Sequence, residues 1–173
     1  RYAASLADYP VTGTSSTTYS RIFDRRETLA EWTVRLALAY DLLEPAMSSR
    51  QRETISHSLL REAALCVAGE ESFWADRDLT SLSATAAVLV VGYTLADEQL
   101  IGWGLQGRGG RGGVMRSIER DIGPDGRWLD ASPSESLPAA QWFILMAECA
   151  WNNGVNLYAH ADGRLKKLLD APL

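Results

Sequence analysis

The run from Leu79 to Ala96 reads LTSLSATAAVLVVGYTLA and contains no charged side chain. It approaches the roughly 20 apolar residues that a membrane span needs, but Thr80, Ser81, Ser83, Thr85, Gly92 and Thr94 dilute it. A helix that is apolar nearly all round and rich in Ala, Ser and Thr is the pattern of an element surrounded by other helices. The run therefore reads as a central, buried helix from about Leu79 to Leu95, with no membrane span.

Helical periodicity extends outward on both sides. Downstream, Asp97 is placed to cap a short helix through Leu105. A glycine-rich connection from Gly107 to Gly113 leads into a helix over Val114 to Asp121, where Val114, Ile118 and Ile122 keep step. Pro124-Asp125-Gly126 reads as a turn. Pro138 suits a first helical position, giving a helix to Asn153 that ends at Gly154, and a last helix covers about Asp162 to Leu169. Upstream, Leu29, Trp32, Leu36, Tyr40 and Leu43 form one stripe of a helix over about Arg26 to Glu44, stopped by Pro45. Ser48 followed by Gln51 is a capping-box start, and Ile55, Leu59, Ala63 and Cys66 supply the buried face of a helix ending near Gly69. No series of alternating β-branched strands with hairpin turns is found. The fold class expected is all-α, with antiparallel helical hairpins stacked side by side.

Composition narrows the function. The 173 residues, 46% of them apolar, suit one ordinary domain with a substantial core. A net charge of −5 gives no electrostatic reason to expect nucleic acid as a partner. Cys66 and Cys149 are too few for a disulfide framework and have no metal-ligand spacing, so they read as small core residues. His57 and His160 have no supporting motif for a metal site or a Ser-His-Asp set. No metal and no cofactor is expected. Arg108-Gly109-Gly110-Arg111-Gly112-Gly113 lacks the Gly-Lys-Ser/Thr ending and the preceding strand of a phosphate loop. It reads as a flexible connector, the alternative being that its two arginines meet an anionic ligand. The chain opens on Arg1 with no basic-then-apolar signal segment, which reads as a processed or excised piece of something longer.

Several motifs, in order, resemble the heparinase II/III-like and alginate lyase-like polysaccharide lyases. Leu36-Ala37-Leu38-Ala39-Tyr40-Asp41-Leu42-Leu43 followed by Ser48-Ser49-Arg50-Gln51-Arg52 is similar to that group's LAYD and S-x-x-x-R helix pair. Ser72-Phe73-Trp74-Ala75 resembles its S-N-W-Q/H site. Asp125-Gly126-Arg127-Trp128 through Ser132-Pro133, then Ala147-Glu148-Cys149-Ala150 and Gly154-Val155-Asn156-Leu157-Tyr158, resemble its DG-x-W-x-E-x-S, AE-x-A and G-x-D-L-Y run. The resemblance covers roughly Tyr2 to Leu173. It implies an incomplete α/α toroid around a cleft, with residues 1–173 as a single α-helical domain that is a portion of a larger toroid protein or a reduced version. It also implies a companion β-sandwich domain or chain, and a secreted or periplasmic location.

The reaction implied is β-elimination on a uronic-acid polysaccharide such as alginate or a heparin-like glycan. That chemistry needs a group to neutralise the sugar carboxylate, a base for the adjacent proton and an acid for the departing oxygen. The usual residues are exchanged here. Phe73 stands for Asn, Ala75 for Gln or His, and Glu135-Ser136 for a Tyr-His pair. An aromatic ring cannot hydrogen-bond a carboxylate, and Glu135 repels an anionic sugar. Asp130 and Glu135 are the candidate catalytic carboxylates, able to divide acid and base roles if their environments separate their pKa values. The alternative is that Glu135 only decorates a helix start, where negative charge is favoured. Trp74, Asp76, Arg77 and Trp128 are the candidate substrate-binding residues, the indoles suited to stacking on sugar faces. Core packing for the tryptophans and a surface ion pair for Asp76 and Arg77 are the competing readings. Three functions follow: a lyase-type domain taking a carbohydrate ligand, a helical domain that binds sugar or a partner without catalysis, and an elimination or cyclisation enzyme for a small biosynthetic intermediate.

Overall fold

A computed structural model of the chain describes residues 26–75, 77–128 and 133–170. Among the described residues the regular elements are all helices, with isolated bridges at Arg108–Arg111 and Ile122–Trp128 in place of strands. In chain order the helices are α1 (Arg26–Leu43), α2 (Ser49–Ile55), α3 (Glu62–Gly69), α4 (Ser72–Ala75), α5 (Leu79–Leu95), α6 (Glu98–Gln106), α7 (Val114–Asp121), α8 (Pro133–Asn152) and α9 (Arg164–Asp170). Short 3-10 turns lie at Glu44–Ala46 and His160–Gly163. None of the described helices is long and apolar enough to cross a membrane.

The charge-free run forms α5, and every residue from Ser81 to Gly92 is buried. Helices α1, α3, α4, α6, α7 and α8 all pack against it. Its two sides feed two cores. Leu82, Ala86 and Leu89 join Ile118, Phe143, Met146 and Leu165, and Ala84, Val88 and Val91 join Leu59, Leu60, Val67, Phe73 and Trp74. Each fully buried Leu, Val or Phe contributes about 1.5–3 kcal/mol relative to exposure. Three hydroxyls buried within these helices are satisfied locally. Thr85 Oγ1 donates to the Ser81 carbonyl at 2.9 Å, Ser83 Oγ to that of Thr80 at 2.9 Å, and Thr33 Oγ1 to that of Leu29 at 2.8 Å. Thr33, Ser83 and Thr85 are thus accommodated in the interior, whereas the Tyr93 hydroxyl of α5 is buried with no partner among the described residues.

The expected caps form. Ser48 Oγ accepts from Gln51 N while Gln51 Oε1 accepts from Ser48 N at 2.9 Å. Asp97 accepts from the amides of Gln99 and Leu100. Gly154, at φ 82°, follows the end of α8.

Four details differ from the sequence expectation. The helix after Ser48 is interrupted by a π-helical turn at Ser56–Arg61. The wider i→i+5 winding inserts an extra residue, so the buried face keeps Ile55, Leu59 and Ala63 but widens to take in Leu60, Ala64, Val67 and Ala68, leaving Cys66 half-buried. In α1 the stripe is rotated towards the smaller Ala30, Val34 and Ala37, while Leu43 is 55% exposed. Helix α8 starts at Pro133, itself compatible with a first helical position, and takes Pro138 inside it. Pro138, the sixth residue of α8, lacks the N–H that would bond to the Ser134 carbonyl one turn back. The last helix begins at Arg164 because Ala161 and Asp162 adopt positive φ.

Close approach of α6 to α5 needs glycine. A Cβ on Gly104 would lie 2.6 Å from Leu89 Cβ and 2.7 Å from Leu89 Cα. Replacing Gly104 with Ala is expected to cost about 1–3 kcal/mol through overpacking. Denaturant unfolding followed by circular dichroism measures that loss, and an unchanged midpoint would contradict this packing.

Candidate functional site

The short helix α4 carries the Ser72–Ala75 motif into the second core. Phe73 and Trp74 are each 4% exposed. Trp74 Nε1 donates to the Ala68 carbonyl at 2.9 Å, which fixes the ring against the end of α3. The glycine-rich segment after α6 is laid directly on this tryptophan, since a Cβ on Gly112 would come within 2.6 Å of the Trp74 ring. That segment is a folded hairpin rather than an open connector. Arg108 N donates to Arg111 O at 2.9 Å and Arg111 N to Arg108 O at 3.2 Å. Gly109 and Gly110 turn the chain at φ 61° and 75°, a conformation that favours glycine.

A hollow of about 360 Å³ lies here, lined by Gly69, Glu71, Trp74, Arg108, Gly109 and Arg111. Arg108 donates to the Ala68 carbonyl at 2.7 Å, and its guanidinium lies 5.0 Å from the centre of the Trp103 ring. Trp74 therefore forms part of the wall while serving the core.

The segment after α4 is tied to the end of α7. Arg77 Nε donates to Asp121 Oδ1 at 2.9 Å and its Nη2 to the Arg120 carbonyl at 3.0 Å. Asp121 is buried and also accepts two bonds from Arg120, at 2.7 and 2.8 Å. Arg77 thus enters an ion pair with Asp121. Asp76 lies outside the described residues.

The Asp125-Gly126-Arg127-Trp128 motif is a turn seated on α9. Gly123 N donates to Arg127 O at 2.7 Å, and Gly126 N to Gly123 O at 2.9 Å. A Cβ on Gly126 would meet the Lys167 carbonyl at 2.5 Å, and Gly126 has φ 86°, so glycine is required twice over. Trp128 is 9% exposed, with its ring centre 5.3 Å from that of Phe143. It anchors the segment leading towards Asp130, which lies outside the described residues. Glu135 is exposed in the first turn of α8, where an acidic group suits the helix dipole.

Two later motifs meet. Tyr158 Oη donates to Glu148 Oε1 at 2.5 Å, joining the AE-x-A segment to the L-Y pair. Burial, with the hydrogen bond and charge of Glu148, pushes the Tyr158 phenol up to about 12. Tyr158 is therefore a held proton donor and not a base near neutrality.

A second hollow of about 500 Å³ lies between the end of α1, the π-helical turn and the α5–α6 link, with Tyr40, Asp41, Glu44, His57, Arg61 and Asp97 on its walls. Its charges are largely spent on each other. Arg61 pairs with Asp97 at 3.0 Å, and Arg52 with Glu44 at 2.8 Å. Burial pushes the Asp97 carboxyl up, but the amides of Leu100 and Gln99 and the Arg61 guanidinium outweigh it and hold the group below its ordinary value. Burial raises both the Cys66 and Cys149 thiols, which disfavours their nucleophilic forms. Among the described residues no three His, Cys, Asp or Glu side chains converge as a metal-binding group.

No family model matches the chain. An alginate lyase of Stenotrophomonas maltophilia (strain K279a) is 28% identical over 143 residues. The match takes in 80% of this chain and spans 19% of the length of that lyase. This similarity supports a polysaccharide-lyase-like relationship.

The Tyr158–Glu148 contact has a pH consequence. A phenol whose folded value is raised contributes stability that is present below its unfolded value near ~10 and is lost as pH rises towards the folded value. Ultraviolet titration of tyrosinate should show a step near pH 12 that disappears in Tyr158→Phe. A step that persists unchanged in the variant would refute the assignment.

Proposed function

We propose that the chain is the helical portion of a polysaccharide-lyase-like protein that takes a uronic-acid-containing polysaccharide, with alginate the first candidate. The observation that carries this reading is the similarity to an alginate lyase over 143 residues, a span that takes in most of this chain. The ordered helical motifs and a hollow bearing two arginines beside Trp74 support it. The helical hairpins form an incomplete toroid, and residues 1–173 act as one domain of a longer arrangement with a companion β-sandwich. Exposed Leu137, Ile144 and Trp151, at heptad spacing along α8, suit such a neighbour.

In β-elimination, a base removes the proton next to the uronate carboxylate, the C–O bond to the leaving sugar breaks as a C=C bond forms, and an acid protonates the departing oxygen. Asp130 and Glu135 are proposed for these two proton transfers. Trp128 supports them by fixing the start of their segment on Phe143. Trp74 and Arg77, with Asp76 between them in sequence, make up the substrate side, Arg77 being half-exposed beside Asp121.

A second reading, a sugar-binding or interaction domain without catalysis, is favoured by one observation. Phe73 replaces the expected Asn and is packed into the core, where it cannot meet a carboxylate.

Incubation with alginate, heparin, hyaluronan and glucuronan, following absorbance of unsaturated uronic products, separates the two. The lyase reading expects product from alginate, with at least about a hundredfold loss in Asp130→Asn or Glu135→Gln, the scale of a missing acid or base. Silence on all four, together with retained alginate binding, transfers the assignment to the binding domain. Absence of both binding and product sinks the uronate reading.

A further inference from the structure

We propose that the Arg108–Arg111 hairpin is the carboxylate-recognition element of this protein, holding the anionic group of a uronic-acid residue seated in the hollow beside Trp74, an assignment that rests on the uronate reading above. A two-residue Gly-Gly turn sets residues 108 and 111 directly opposite each other in a hydrogen-bonded pair. Paired positions across such a ladder project to the same side. Two arginines are therefore held together, and like charges directly opposite each other are destabilising. An anion between them offsets that repulsion.

The two side chains are unequally committed. Arg108 is anchored by the Ala68 carbonyl and the Trp103 ring. Arg111 is exposed, and among the described residues no carboxylate pairs with it, whereas Arg52, Arg61, Arg77 and Arg120 are each tied to an acid. A guanidinium offers a planar fork that matches the two oxygens of a carboxylate. In a chain of net charge −5, two arginines facing one hollow are a local reversal of sign.

The location fits the missing chemistry. Phe73 occupies the place of a carboxylate-binding amide and is buried, so recognition requires other donors. The hairpin lies one residue further along α4, against Trp74, held there by the absence of a side chain at Gly112. The hollow's volume of about 360 Å³ falls in the range of small-ligand sites. Glu71, the one acid among the described residues of its wall, provides an acceptor for sugar hydroxyls and leaves that lining with a net positive charge.

Calorimetric titration of the full chain at low salt, with a saturated mannuronate trisaccharide and with neutral mannotriose, tests this. Arg111→Ala should weaken mannuronate binding by about tenfold or more, as expected for loss of a charge-assisted contact. It should not lower the thermal midpoint, because it removes the like charge opposite Arg108, and Glu71→Gln should tighten mannuronate binding. Wild-type binding that survives Arg111→Ala undiminished would overturn the hairpin's role and leave the uronate reading intact. Failure of wild-type protein to bind mannuronate at all would overturn both.

Discussion

The structure depends on burying one helix on all sides. From Ser81 to Gly92 no residue of α5 reaches solvent, so every neighbour must present a complementary surface and every polar atom must find its partner within the helix. The sequence of α5 answers both demands. Ser83 and Thr85 return their hydroxyls to carbonyls one turn back. Alanine and glycine let other backbones come close, most tightly where Gly92 meets the backbone at Ile101 and Gly104 meets Leu89. The two cores are the two sides of this one element, and the elements bearing the candidate site are fixed by how they lean on it.

That dependence explains how α4 and the glycine hairpin come together. The short helix places Trp74 in the core shared with α5, and its indole and the Arg108 guanidinium both donate to the Ala68 carbonyl at the end of α3. Gly112 then lies on the ring. The arginines are positioned by core packing, while elsewhere charge is neutralised in pairs, as at Arg61–Asp97 and Arg77–Asp121–Arg120. The larger hollow near His57 is bordered by such closed pairs, whereas the smaller one keeps an uncommitted arginine.

Much of this architecture could be read from local signals. The central helix, the Ser48 and Asp97 caps and the Gly154 terminus each depend on a few adjacent residues, and all are found in the structure. The π-helical turn was not legible, because Ser56–Arg61 fits a regular helix by composition and only packing against α5 and α1 reveals the extra residue. Nor was the start of α8, which the sequence pattern sets at Pro138 and which lies at Pro133. At the site, Trp74 and Trp128 turned out to serve the core, as one of the two sequence readings allowed. The Arg77–Asp121 bond, the meeting of Arg108 with Ala68 and the Tyr158–Glu148 contact join residues far apart in the chain, beyond any local pattern. The glycines of the hairpin were visible, but their requirement at Trp74 arises from tertiary contact.

Native-state hydrogen exchange along α5 tests the central claim most directly. If this helix is the common wall of both cores, amides from Ser81 to Gly92 should exchange only through global unfolding, with protection matching the free energy from denaturant unfolding. Protection there well below that global value, or below that of α7 or α8, would show that the two cores open independently and would contradict the account.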